Sequence, residues 1–478
     1  MNKGLKFLKN NEGEIMTYFI SFLILFIPLK DMIAEYTINY VKMIPDIFII
    51  IMFIYILVTR KQNIKMDKTD IVVLIFIIFS FITSVLLNKR NMISYIFEIR
   101  ALFLYYSLYY SLKHIDKKNV NYDKLLNVLE FMIILLSVFA IIEKIFNKTI
   151  LFPHNWAMSI TSPNNFPRVY SLLKNPNTFA FFNFLSFVIL TLNYKKCNKT
   201  LFVFILCLIF NNLWFCSSRS TLLIMGTYCI LMLILNYKKI FNKINVKICL
   251  CVVLLSFALI SSTSSLTSYL NVEFVRNNST QMNPDTVQDE PQKPDKNQND
   301  KIPNSSNQQE NINGNGDNKQ DTVIIETEKK GSLLLRIKNV LNGKQFINSK
   351  IDGRLYKINK GIQIFKDNMF IGSGFGTYGD AASLTFMPKD VYKQYKIPSG
   401  FYADNFYMVI LVETGILGIL QFTIWMLFLF QKIWNCKYKV ISLCSVLLFG
   451  FFTNVFEIQI VNLLLILILM MNNTKLKS

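Results

Sequence analysis

Apolar residues along this chain gather into twelve runs separated by short polar segments. The runs lie at roughly 15–30, 44–58, 69–87, 98–112, 125–146, 176–193, 201–216, 220–236, 248–265, 404–430, 440–456 and 458–471. A membrane-crossing helix needs about 20 apolar residues, so twelve of them would use about half of the chain. The pattern predicts an all-α polytopic membrane protein with about 12 transmembrane helices.

Composition supports this class and removes its rivals. Of 478 residues, 52% are hydrophobic and 17% charged, against about 25% charged in a soluble domain. That excludes an ordinary soluble enzyme and a disordered scaffold. Eight cysteines in this length exclude a disulfide framework. They contain no CxxC pair and form no Cys/His cluster. The two histidines, His114 and His154, are expected on opposite sides of the membrane and cannot share a metal ion.

The net charge of +21 would suggest nucleic acid in a soluble protein. Its distribution argues otherwise. With the N-terminus inside, the inner segments (1–14, 59–68, 113–124, 194–200, 236–247, 431–439, 472–478) hold 23 Lys and Arg. The short outer loops (30–43, 88–97, 147–175, 217–219 and the turn near 457) hold 8. Positive charge on the inner loops sets orientation, so both termini are expected in the cytoplasm and no nucleic-acid partner is expected. The first run lacks a small-residue cleavage site and reads as a retained span.

One outer loop is exceptional. Residues 266–403 separate nine helices (1–265) from the last three (404–478). Within the loop, residues 277–330 contain 11 Asn, 7 Gln and no aromatic residue. Such a stretch buries too little apolar surface to offset its ordering entropy, so it is expected to be a disordered spacer. Residues 331–403 differ. Leu355, Ile358, Ile362, Phe365 and Met369 fall within about an 80° stripe at 100° per residue. They predict an amphipathic helix, capped by Asp352, lying on the membrane or roofing the bundle.

Candidate chemistry sits at the outer mouth. Arg219, in CSSRSTLL, opens a span after Ser217 and Ser218. A cation in the first turn opposes the positive end of the helix dipole. It suits either a guanidinium aimed at phosphate or an Arg snorkelling to headgroups. Arg168 lies ahead of Asn175-Pro176, which reads as N-cap and first residue of the sixth span. It is either a second cationic contact or part of a basic loop. Arg354 opens the amphipathic helix, where an interfacial cation is the plain reading. Asp404, in FYADNFYMVILVETGILGIL, is either a helix N-cap or a general base at the mouth. Glu413 is about 13.5 Å deeper by helical rise and turned away from it. Gly415 and Gly418 are expected to permit close packing. GFGTYG at 374–379 follows a helix and not a strand, so it is no nucleotide site. It reads as a flexible turn at the mouth.

Four segments, RVYSLLKNPNTFAFF, CSSRSTLL, DGRLYKINKGIQIFKDNMFIGSGFGTYG and ADNFYMVILVETGILGIL, carry a resemblance. In this order, and with a large loop between the ninth and tenth spans, the chain resembles the O-antigen ligase and polymerase superfamily. The architectural likeness covers nearly the whole chain and the motifs about 80 residues. The superfamily consists of GT-C membrane glycosyltransferases acting on glycans carried by undecaprenyl pyrophosphate. The resemblance implies donor-pyrophosphate binding by Arg219, Arg354 and Arg168, and catalysis at Asp404. Ligases of this family carry a histidine where Asp404 stands, so the resemblance leans toward a polymerase of capsule or O-antigen type. It implies metal-independent transfer without a cofactor, at the outer face of a bacterial cytoplasmic membrane. A flippase or chain-length regulator would be a further partner. The rival from another class is a polysaccharide or ion transporter, which would show mid-span charges and broken helices in two related halves. Glu130, Glu143 and Glu413 are such charges, but no internal repeat accompanies them. A third possibility is a structural assembly subunit that binds partners through its outer loop.

Deleting residues 277–330 should leave the amount of folded protein in the membrane unchanged, because the composition gives this stretch no core to build. A strong loss of membrane yield on deletion would contradict the spacer reading.

Overall fold

A computed structural model describes residues 11–59, 66–115, 119–146, 168–194, 198–240, 243–281 and 353–471, without the side chains of 235–249 and 270–281. Among the described residues the regular structure is entirely helical. Among the described residues nine α-helices precede the large loop: α1 Glu12–Tyr36, α2 Ile44–Thr59, α3 Lys68–Phe81, α4 Met92–Lys113, α5 Tyr122–Ile145, α6 Pro176–Leu192, α7 Lys199–Cys216, α8 Arg219–Ile240 and α9 Lys243–Gln281. The loop contributes α10 Arg354–Asp367, α11 Ala381–Phe386 and α12 Lys389–Gln394. The chain then returns through α13 Phe406–Ile433, α14 Lys437–Phe449 and α15 Gln459–Met470.

Each of the twelve apolar runs falls on one of α1–α9 or α13–α15. By length and hydropathy, 7 of these segments are sufficient to cross a membrane. The apolar parts of α6, α8 and α15 are shorter. α4 carries Glu98 and Arg100 among its tyrosines, which lowers its hydropathy. The expected ends of the chain, residues 1–10 and 472–478, lie outside the described residues, as do Asp352 and 282–330 of the expected spacer.

Local chemistry explains several helix starts. Asp67 and Asp70 form a capping box at α3. Asn175 accepts from the Asn177 and Thr178 amides ahead of Pro176, as the sequence predicted for α6. α10 begins behind Gly353 as its N-cap residue.

Ion pairs show which loops share an end. Lys113 pairs with Asp67 and Asp70, and Lys432 pairs with Asp67. This gathers three segments expected inside. At the other end Asn88 Nδ2 donates to the Gly372 carbonyl at 3.0 Å, and Arg90 Nε to that of Ser373 at 2.9 Å. Arg90 also pairs with Asp390. The short 88–91 loop is thereby tied to the large loop, both expected outside.

The amphipathic helix α10 does not bury the stripe predicted for it. Its buried positions are Gly361 and Ile364, while Ile362 and Met369 are exposed. Gly361 packs against Tyr378 and Met408 with no space for a Cβ. Ile364, Tyr378, Tyr392, Phe401, Val409 and Val412 belong to a small second core under the outer loop. Leu355, Ile358 and Phe365 are half-buried, and Phe365 packs against this second core. Only the Ile362 and Met369 side of the stripe therefore turns outward, and the helix docks through the adjacent Gly361–Ile364 face.

α13 contains the decisive irregularity. Gly415 has φ +66° and ψ −166°, which breaks the helix. The break would leave backbone groups without partners at membrane depth, where each costs several kcal/mol. The loop supplies them. Ser373 N and Gly374 N donate to the carbonyls of Val412 and Glu413 at 2.9 Å each. Ile416 N and Leu417 N donate to the carbonyls of Met369 and Phe370 at 2.9 and 3.2 Å. The segment 369–374 thus replaces the missing turn. The expected packing role of Gly415 is realised against this loop backbone. At Gly418 the nearest group is Thr414 of the same helix.

Gly415→Ala should destabilise strongly. The positive φ alone costs about 1–3 kcal/mol in a non-glycine residue, and a Cβ would overlap the Phe370 carbonyl. Gly226→Ala, in α8 with open space around it, should be neutral or gain up to about 1 kcal/mol. Thermal unfolding of the two variants in detergent checks the contrast; equal midpoints would refute the plugged-break account.

Candidate functional site at the loop-side mouth

Asp404 sits just ahead of α13, but it is not the cap. Asn405 is the N-cap, and its side chain accepts from the Met408 amide at 3.1 Å. Asp404 instead accepts from Lys357 Nζ at 2.7 Å, with about a third of its side chain exposed. Lys357 lies one turn into α10, and its carbonyl accepts from Tyr378 Oη. The carboxylate is thereby oriented by a residue that sequence reasoning had not selected.

Arg354 opens α10 and is exposed. Its Nη2 donates to the Phe452 carbonyl at 3.2 Å, and the guanidinium lies 5.5 Å from the centre of the Phe452 ring. Arg219, exposed at the first position of α8, is close enough for its charge to be repelled by that of Arg354. Two residues distant in sequence therefore place like charges at one mouth, beside the positive end of a helix dipole. An anionic group entering there relieves both unfavourable terms.

Arg168 differs from these two. It is buried, with Nε donating to the Cys216 carbonyl at 2.8 Å and Nη2 to Asn177 Oδ1 at 2.7 Å. The first acceptor is at the C-terminal end of α7, where a cation is favourable. Ser218 Oγ donates to the same Asn177 oxygen at 3.0 Å. Ser217, in the left-handed region at φ +48°, turns the chain from α7 into α8. Arg168 thus braces the corner from which Arg219 projects. The Glu143 carboxylate holds the same segment through the amides of Tyr170 and Ser171.

The GFGTYG segment is a tightly docked turn and not the flexible one expected. Phe375, Thr377 and Tyr378 are buried, and Glu413 Oε1 accepts from the amides of Thr377 and Tyr378 at 2.8 and 2.9 Å. Gly376 has φ +76°, and a Cβ there would strike Ser94. The glycines serve turn geometry and close approach, which accords with rejecting a nucleotide role.

Carboxylates that sequence spacing does not bring together gather behind this turn. Asp380 caps α11, with Oδ1 accepting from the Ser383 amide at 2.6 Å. One oxygen of each of Glu98, Asp380 and Glu413 lies within 4.8 Å of the others. Glu457, in the turn before α15, accepts from Tyr402 Oη at 3.2 Å and the Ala381 amide at 3.4 Å. Burial and then the charge of Asp380 push its carboxyl up to about 8. Burial and Glu457 likewise raise the Tyr402 phenol. Sequence spacing could not reveal the cluster, because its members come from four separate segments.

Residues 200–423 match the family model described as O-Antigen ligase. No curated protein matches the chain. The matched stretch runs from α7 to the middle of α13 and so includes Arg219, Arg354, Lys357 and Asp404.

Asp404→Asn should leave stability nearly unchanged, since a partly exposed ion pair is worth about 0–1 kcal/mol and the cap is Asn405. Asn405→Ala should cost about 0.5–2 kcal/mol. Unfolding midpoints of the two variants decide which residue caps the helix; a larger loss from Asp404→Asn would return the cap to Asp404.

Proposed function

We propose, from the premise that the chain belongs to the O-antigen ligase and polymerase superfamily, as the match over residues 200–423 supports, that it polymerises a bacterial surface polysaccharide. The donor would be an oligosaccharide on undecaprenyl pyrophosphate, and the acceptor a sugar hydroxyl at the outer face of the cytoplasmic membrane. The single observation supporting this reading is that α10 carries both Arg354, whose charge acts on Arg219 at the start of α8, and Lys357, which pairs with Asp404 ahead of α13.

In the proposed reaction the acceptor hydroxyl attacks the anomeric carbon of the donor sugar. The bond from that carbon to the pyrophosphate oxygen breaks, and its electron pair leaves with the pyrophosphate. Charge on the leaving group grows in the transition state. Arg219 and Arg354, fixed beside a helix N-terminus, stabilise it without reorganising. Their planar guanidinium groups pair with phosphate oxygens in a way an ammonium cannot. Asp404 takes the hydroxyl proton, with Lys357 fixing its orientation. Arg168 supports the α7–α8 corner that presents Arg219.

The family description favours a second reading, ligase-type transfer of a finished glycan to another acceptor. Both readings use the same donor and the same arginines. The transporter reading is weakened by α13. Its broken turn is refilled by the chain's own 369–374 backbone and does not line an open path.

Arg219→Lys and Arg354→Lys should each fold and lose about 10²-fold in glycan transfer, the scale of removing one transition-state donor. Asp404→Asn should fold and transfer little. Lipid-linked and surface glycans of a deletion strain carrying each variant provide the readout. Loss of the polymerase leaves single repeat units, whereas loss of a ligase leaves full-length polymer on the lipid. Full transfer by both Arg→Lys variants would overturn the phosphate-clamp reading.

A further inference from the structure

The carboxylates of Glu98, Asp380 and Glu413 form a site with a chemistry of its own. Glu98 comes from the second turn of α4, Asp380 from the cap of α11, and Glu413 from the turn of α13 ahead of its break. Asp380 and Glu413 are fully buried, and Glu98 is 7% exposed. One oxygen of Asp380 and one of Glu413 are occupied by backbone amides. The others, Asp380 Oδ2 and Glu413 Oε2, are buried and accept no hydrogen bond, and the same holds for Glu98 Oε2. Among the described residues none of the three makes an ion pair.

A buried carboxylate oxygen without a donor is costly, and three in contact repel one another. Only a positive charge or protons between them can hold the arrangement. The donor set is all oxygen, with neither sulfur nor imidazole, which suits hard cations. At a Ca–O distance of about 2.4 Å, oxygens on opposite sides of an ion are about 4.8 Å apart. The cluster fits within that span.

We propose that Glu98, Asp380 and Glu413 bind one hard divalent cation of the Ca²⁺ type, which fastens α4 and the 374–380 turn to α13 beside its break. Water completes the coordination. The ion acts as a positioning element. Glu413 holds the Tyr378 amide, Tyr378 Oη holds the Lys357 carbonyl, and Lys357 holds Asp404. The proposal does not depend on the glycosyl-transfer reading, and its test needs no substrate.

The full-length protein, purified in detergent and stripped with a chelator, is equilibrated with Ca²⁺, desalted and assayed for metal by mass spectrometry. Thermal unfolding is followed with chelator and with millimolar Ca²⁺. Wild-type protein should retain about one ion per chain and gain roughly 5 °C in Tm, because a ligand of the folded state stabilises it. Glu98→Gln removes a ligand charge and keeps the shape. It should unfold no earlier than wild type in chelator, bind Ca²⁺ at least about tenfold more weakly, and lose the Ca²⁺-dependent rise. Should Glu98→Gln fail to fold, Mn²⁺ bound to wild-type protein, seen by electron paramagnetic resonance and displaced by Ca²⁺, supplies the decision. Wild-type protein with no retained metal and an unchanged Tm would overturn the proposal and leave shared protons as what holds the cluster. So would undiminished binding by Glu98→Gln.

Discussion

The broken turn at Gly415 is the constraint on which the outer half of the protein depends. Four backbone groups of α13 lose their helical partners there and regain them from residues 369–374. In a low-dielectric interior this exchange cannot be left incomplete. It fixes the position of the loop that follows, including the Gly374–Gly379 turn and the cap of α11. It also explains a glycine-rich sequence in a buried place, since side chains would hold two backbones apart.

Glu413 sits two residues before Gly415 and joins two functions of the structure. One oxygen holds the amides of Thr377 and Tyr378, the other is buried without a hydrogen bond, and the carboxylate lies beside those of Glu98 and Asp380. From Tyr378 a line of hydrogen bonds leads through Lys357 to Asp404. A carboxylate that sequence spacing separates from Asp404, by depth and by direction, is thus connected to it through the loop. This mid-span charge is explained by backbone docking, without invoking an ion pathway.

The mouth itself is assembled from opposed electrostatic demands. Arg168 lies at a helix C-terminus and has carbonyl and amide oxygens to bind. Arg219 lies at a helix N-terminus, within range of the like charge of Arg354. The first arrangement favours rigidity and the second favours an anion. Three arginines that look equivalent as basic residues near apolar runs therefore divide into one brace and two exposed cations.

Apolar run length and turn chemistry were enough to locate the helices. The twelve runs, the Asn175-Pro176 start of α6 and the shared end of the Lys113 and Lys432 loops follow from local composition, because burial in lipid and capping act within a few residues. The motif segments likewise held Arg219, Arg354 and Asp404. Other features depended on contacts between distant segments. The face by which α10 docks was set by Gly361 against Tyr378, while Ile362 and Met369 of its predicted apolar stripe turned outward. Asn405 displaced Asp404 as cap, a shift of one residue that only backbone geometry decides. Lys357 and the Glu98–Asp380–Glu413 cluster had no sequence signature, since their meaning arises where α4, the loop and α13 meet. Sequence specified which segments form the apolar helices; tertiary structure decided which charges meet, because electrostatic interactions depend on distances that spacing along the chain does not encode.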